Sequence, residues 1–288
     1  MTPARHATAT RRAADNAAAA PPPGATIVFS HANGFGASTY RVLFDAWRKA
    51  GWQVHALDKF GHDPKYPVTS NWPHLRDQLT DFVRREVGGP VVFVGHSLGG
   101  YLSLLAACQC PELARAVVLL DSPLVAGWRA HSLHMAKLSG LISRISPAKV
   151  AQRRRHDWPD VDAVQAHFAV KAAFARWDPR VLADYVQHGT EASASGRSLS
   201  FRREVEARIY DTLPHHMPQL MRRHPLKAPA AFVAGTHSVE LRQVGLAATK
   251  RLTHGRISWI EGSHLFPFER PVETAREVLR WVDTLLAK

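Results

Sequence analysis

Six short apolar runs constrain the fold of this chain more than any other feature: "TIVFS" (26–30), "QVHAL" (53–57), "VVFVG" (91–95), "AVVLL" (116–120), "AAFVA" (230–234) and "RISWI" (256–260). Most are continuous rather than alternating, which is the pattern of strands buried on both faces of a parallel sheet. Parallel strands need long crossovers. Stretches with helical spacing supply them: "TYRVLFDAWRKAG" (39–51), "NWPHLRDQLTDFVRREVGG" (71–89), "LGGYLSLLAACQC" (98–110) and "PVETAREVLRWVDTLLAK" (271–288), with Gly51 and Gly88 where helices would end. The expected fold is α/β, a mostly parallel twisted sheet flanked by helices.

The alternation breaks between Asp121 and Lys227. There "VDAVQAHFAVKAAFARW" (161–177), "PRVLADYVQHG" (179–189) and "REVEARIYDTL" (203–213) have helical spacing, strand-like runs are few, and Trp128, Trp158 and Trp177 occur. The expectation is a helical cap, 124–227, inserted after the strand ending at Leu120, on a core formed by 25–123 and 228–288. Residues 1–24 lack apolar periodicity and, behind Arg11-Arg12, the apolar segment of an export signal; they read as a disordered tail.

Composition bears on partners. Lys and Arg number 37 against 24 Asp and Glu, a formal net charge of +13. The excess is spread along the chain without a nucleic-acid-binding motif, so no nucleic-acid partner is expected. Its densest run, Arg153-Arg154-Arg155, reads as a solvated helix face. No apolar stretch approaches the roughly 20 residues of a membrane span. Cys108 and Cys110 are two apart on a helix and face different directions, so neither a disulfide nor a metal site is expected.

The chemistry concentrates at strand ends. "VVFVGHSLGGYLSLLAA" places Gly95-His96-Ser97-Leu98-Gly99, a G-x-S-x-G pattern, between a strand and a helix. Such a turn exposes the serine oxygen and aims the positive helix N-terminus at developing negative charge. In "TIVFSHANGFGASTY" a strand runs into a loop that can offer a backbone N–H to the same oxyanion. In "RISWIEGSHLFPFERP" His264 follows the last strand-like run, 167 residues after Ser97.

These three pieces, "SHANGFG", "GHSLGG" and "GSHLFPFERP", make the chain resemble esterase- and lipase-like serine hydrolases of the α/β-hydrolase superfamily, from residue 25 to the end except the cap. The resemblance implies Ser97 as nucleophile, His264 as general base, and the N–H groups of Asn33 and Leu98 as oxyanion hole. Many relatives read His-Gly-X in the first loop; here Ala32 replaces the glycine and Asn33 takes the X position. Relatives usually carry the triad acid three residues after the glycine ending the penultimate strand, and that position is Ser238. Serine supplies no negative charge. Asp121, at the end of "AVVLLD", and Glu240, two residues past Ser238, are the two replacements, and the rigid strand behind Asp121 favours it. His237 reads as incidental.

The implied activity is hydrolysis of a small acyl ester through an acyl-enzyme, with no cofactor or metal, in the cytoplasm; the tryptophans and leucines of the cap suggest an apolar moiety, and its arginines an anionic one. A lipase, thioesterase, carbon–carbon hydrolase, amidase or acyltransferase would use the same residues. A binding protein on the same fold stands as the non-catalytic alternative.

Overall fold

The computed structural model describes residues 25–127, 132, 135 and 147–287. The expected tail (1–24) and Trp128 lie outside the described residues, as does part of the expected cap. Each of the six apolar runs forms a strand of one sheet: β1 Thr26–Ser30, β2 Gln53–Ala56, β3 Val91–His96, β4 Ala114–Leu120, then β8 Ala230–Gly235 and β9 Ile257–Ile260. The order is β2-β1-β3-β4-β8-β9, and every pairing is parallel.

Period-two geometry sends successive strand residues to opposite faces, which explains why the runs are apolar throughout. Phe29, Val92, Val118 and Val233 face one core layer, which holds Trp47 of helix α1 (Arg41–Lys49) and Val278 of the C-terminal helix α12 (Pro271–Leu286). Val28, Phe93, Val117 and Phe232 face the other, with Leu75 of α2 (Pro73–Phe82) and Leu102 of α3 (Leu98–Gln109). Trp47 also donates its indole N–H to the Ala275 carbonyl at 3.1 Å, tying α1 to α12.

β1 is followed in sequence by β2 on one side, whereas β3 pairs on its other side. This reversal puts the carboxyl ends of β1 and β3 at a topological switch point, where open α/β sheets bind ligands.

Between β4 and β8 lie α4 Ala148–Arg153, α5 Val161–Ala169, α6 Pro179–His188, α7 Arg203–Asp211 and α8 Met217–Arg223. This segment also holds a three-stranded antiparallel sheet, ordered β5 Asp157–Trp158, β7 Gly196–Leu199, β6 Thr190–Ser193, which the helical reading of the segment omits. "TEAS" and "GRSL" have no apolar alternation to announce them.

Arg154 departs from its reading as a solvated helix face. It lies just past α4, and its Nη1 sits 2.7 Å from Oε2 of the buried Glu206 while Nη2 donates to the Tyr185 hydroxyl at 2.6 Å. Cys108 is buried in α3, and burial pushes its thiol up to about 12.

Candidate active site

Ser97 sits between β3 and α3 with φ 54° and ψ −115°, a conformation that costs a non-glycine residue about 1–3 kcal/mol. The flanking glycines permit it. A Cβ on Gly95 would lie 2.2 Å from the Gly99 carbonyl oxygen, and one on Gly99 would lie 1.9 Å from that of Ser30. The turn is fastened from β4, since the Ser97 N–H donates to the Leu120 carbonyl at 3.0 Å and the Ser122 hydroxyl donates to the Ser97 carbonyl at 2.9 Å.

Asp121 and His264 come together next to it. His264 Nδ1 lies 2.6 Å from Oδ2 of Asp121, which is buried at the end of β4. The same Oδ2 accepts the Ser238 hydroxyl at 2.5 Å, and Oδ1 accepts the Gly235 N–H at 3.1 Å. Ser238, the residue in the usual acid position, thus orients the carboxylate. Its hydroxyl oxygen also accepts the Leu241 N–H at 3.0 Å, capping α9 (Val239–Val244) and aiming its proton at Asp121. Glu240 stays to one side, its Oε2 3.9 Å from His264 Nδ1 and its side chain half-exposed.

Burial of His264 disfavours its charged form, but the hydrogen bond and charge of Asp121, with a smaller contribution from Glu240, hold its pKa above the ordinary 6.5. Because Asp121 only accepts, Nδ1 carries the proton, and Nε2 presents a lone pair in the neutral imidazole. Asp121, Glu240 and His264 place ligand-type atoms within 4.8 Å of one another. A protonated Nδ1, donating to Asp121, has no lone pair to offer a cation.

Asn33 and Leu98, the expected oxyanion residues, line one cavity with Ser97 and His264. Among the described residues, the N–H groups of Asn33 and Leu98 donate to no acceptor within the chain. Asn33 is anchored by its Nδ2, which donates to the Glu206 carbonyl at 3.0 Å.

Two buried histidines brace the surrounding loops. His31 donates from Nδ1 to the Ala32 carbonyl at 2.8 Å and accepts the Phe60 N–H on Nε2 at 3.0 Å, and burial lowers its pKa to about 4. His96 is likewise uncharged, since burial and then the charge of His264 lower its pKa. Its Nε2 must donate to the His264 carbonyl, at 2.9 Å, so Nδ1 accepts from the Tyr40 hydroxyl at 2.8 Å. Tyr40 accepts the Ala32 N–H at 3.1 Å, which completes a chain from the first loop through the elbow to the histidine loop. The motif reading treats residue 96 as a free position, and nothing in sequence links it to Tyr40.

Two cavities meet at Ser97. One, of about 270 Å³, is mainly apolar, walled by Trp72, Leu98, Tyr101, Val125, Ile209, Leu213 and Val244. The other, of about 360 Å³, is lined by polar groups including Arg176, Glu206, His237 and Ser263. Asn33, Ser97, Tyr210, Glu240 and His264 line both, and Ser97 and His264 share them without a hydrogen bond between the two among the described residues. Bonds of this type commonly tighten only around substrate. Trp158 and Trp177 of the expected cap pack in an aromatic cluster with Phe168, Phe174 and Tyr185.

The model of the alpha/beta hydrolase family matches residues 27–277. A monoglyceride lipase homolog of monkeypox virus is 30% identical over 169 residues, 53% of this chain and 61% of that protein, so the chain spans less than two thirds of that relative's length. The solved structure of E-2-(acetamidomethylene)succinate hydrolase superposes with a TM-score of 0.72 at 21% identity, over 90% of this chain and 91% of that one. The thioesterase domain from the curacin biosynthetic pathway gives 0.69 at 19%, over 88% and 91%. At such identities the two structures speak for the fold alone, which agrees with the parallel six-stranded sheet. The family match spans nearly all of the described residues, sheet and elbow included, and the chain belongs to the alpha/beta hydrolase family.

Proposed function

We propose that this chain is a serine hydrolase that cleaves a carboxylic ester through an acyl-enzyme intermediate. The observation that carries the reading is the 2.6 Å contact between His264 Nδ1 and buried Asp121, in a cavity shared with Ser97 on its strained turn. In this reading Nε2 of His264 takes the Ser97 proton as the serine oxygen attacks the acyl carbonyl. The oxyanion develops toward the N–H groups of Asn33 and Leu98, at the N-terminus of α3. The imidazolium, stabilised by Asp121, gives its proton to the leaving alcohol, and a water activated by the same histidine releases the acid.

The name of the viral relative supports an ester as substrate, and the apolar walls of the smaller cavity support an apolar moiety. Residues 25–123 and 228–288 act as the core and 124–227 as a cap that selects the substrate, a small molecule met in the cytoplasm. No helix among the described residues is long and apolar enough to cross a membrane.

A fluorophosphonate probe is expected to add once to the wild-type protein, at Ser97, and not to Ser97→Ala, as read by intact mass and peptide mapping. Absence of the adduct on the wild type returns the chain to the class of non-catalytic binders. The raised His264 pKa fixes a second expectation. The base must be neutral, so kcat/KM on a p-nitrophenyl ester rises with pH, with its midpoint above 6.5. The stabilisation from the charged imidazole runs the other way: present below the unfolded pKa, it is lost as pH rises through the folded one. A midpoint below 6.5 counts against the Asp121 pairing.

A further inference from the structure

The charge accounting around Ser97 points to a property beyond the hydrolytic reading, on which it rests: we propose that Glu240 makes the site select uncharged esters and reject those bearing an anion near the scissile bond. The chain as a whole is strongly basic, at +13. Yet, among the described residues, the Arg side chains that line this site or pair with its lining are already matched. Arg176 pairs with the buried Glu269 at 3.3 Å, and Glu206, which lines the polar cavity, is matched by Arg154 at 2.7 Å. The rim imidazole of His237 is engaged by Thr236 Oγ1 at 3.0 Å.

Glu240 lacks such a cationic partner among the described residues. Among the described residues its carboxylate forms an ion pair with nothing but His264, at 3.9 Å, and that imidazole must be neutral to act as base. Asp121 stands behind the imidazole as a second negative charge. Counted over the described residues, the resting site is therefore locally anionic in a cationic protein. Distant surface cations do little to offset this, since exposed charges are screened beyond about 8 Å at physiological ionic strength.

Glu240 belongs to both cavities. A carboxylate or phosphate on either the acyl or the alcohol side of a bound ester consequently faces it. The carboxylate lies to the side of the Asp121–His264 axis, so its part is to discriminate among substrates. Two like unit charges about 8 Å apart in a partly wet cavity, discounted for the half-exposure of Glu240, correspond to about a three- to tenfold penalty in kcat/KM.

A matched pair of substrates isolates this effect: the p-nitrophenyl ester of succinic acid with its second carboxyl either free or methylated. The wild type is expected to favour the methylated ester. Glu240→Gln should shrink that preference by about three- to tenfold, and Glu240→Lys should shrink it further. Glu273→Gln, which removes an exposed carboxylate from α12, should leave the ratio as it is. Each variant is also treated with the neutral fluorophosphonate. Labelling at Ser97 with an unaltered ratio in Glu240→Gln, or a wild-type preference for the free acid, overturns the charge filter alone. Failure of the wild type to label overturns the hydrolase reading beneath it.

Discussion

Asp121→Asn is expected to lower kcat on a p-nitrophenyl ester by about 10⁴-fold with the fold retained, whereas Glu240→Gln lowers it by less than about tenfold. The difference follows from hydrogen-bond directions. Asp121 accepts on both oxygens, from Gly235 N–H on one and from Ser238 and His264 on the other. An asparagine must keep its oxygen toward the Gly235 N–H, because the amide group there would set donor against donor. Its NH₂ then faces His264, and Nδ1 can meet it only as an acceptor. The imidazole proton moves to Nε2, the nitrogen that must be unprotonated to receive the Ser97 proton. The variant is isosteric, so its melting temperature should stay near that of the wild type, and the kinetic loss then reports the tautomer. Comparable losses in the two variants would remove Asp121 from its special role.

The choice between these two acids shows where the sequence is informative. The strands are legible because a sheet covered on both faces demands apolar residues at every position, as in "VVFVG" and "AAFVA". The elbow is legible because Gly95 and Gly99 have no room for a Cβ. The acid is harder to read, since Ser238 occupies its usual place and only the fold shows that serine donating to a carboxylate 117 residues earlier. The small antiparallel sheet was illegible for a different reason: its strands are short and polar, stabilised by pairing rather than by an apolar face. Arg154 misleads as one of three consecutive arginines, because its partners Tyr185 and Glu206 are 31 and 52 residues away.

That buried pair sets the largest expected effect on stability: Glu206→Ala should destabilise the protein by about 2–4 kcal/mol, below the usual 3–5 for a broken buried pair because Arg154 keeps some solvent contact. For a chain of this size the loss corresponds to a melting temperature lower by about 5–12 °C. Truncation leaves the guanidinium with the Tyr185 hydroxyl and no counter-charge. The apolar double variant Arg154→Met with Glu206→Leu removes both charges and should recover most of the difference. An activity change should accompany the lost stability. The Glu206 carboxylate fills the space beside Gly34, where a Cβ would lie 2.8 Å from Oε1, and its backbone carbonyl holds the Asn33 side chain. Emptying that space loosens the loop whose Asn33 N–H is assigned to the oxyanion, so kcat should fall more than KM rises. A melting temperature within about 2 °C of wild type for Glu206→Ala would mean that solvent already compensates Arg154. An unchanged kcat at a lowered melting temperature would confine the Glu206 side chain to stability and leave the Asn33 loop supported by the Glu206 backbone carbonyl together with His31 and Tyr40.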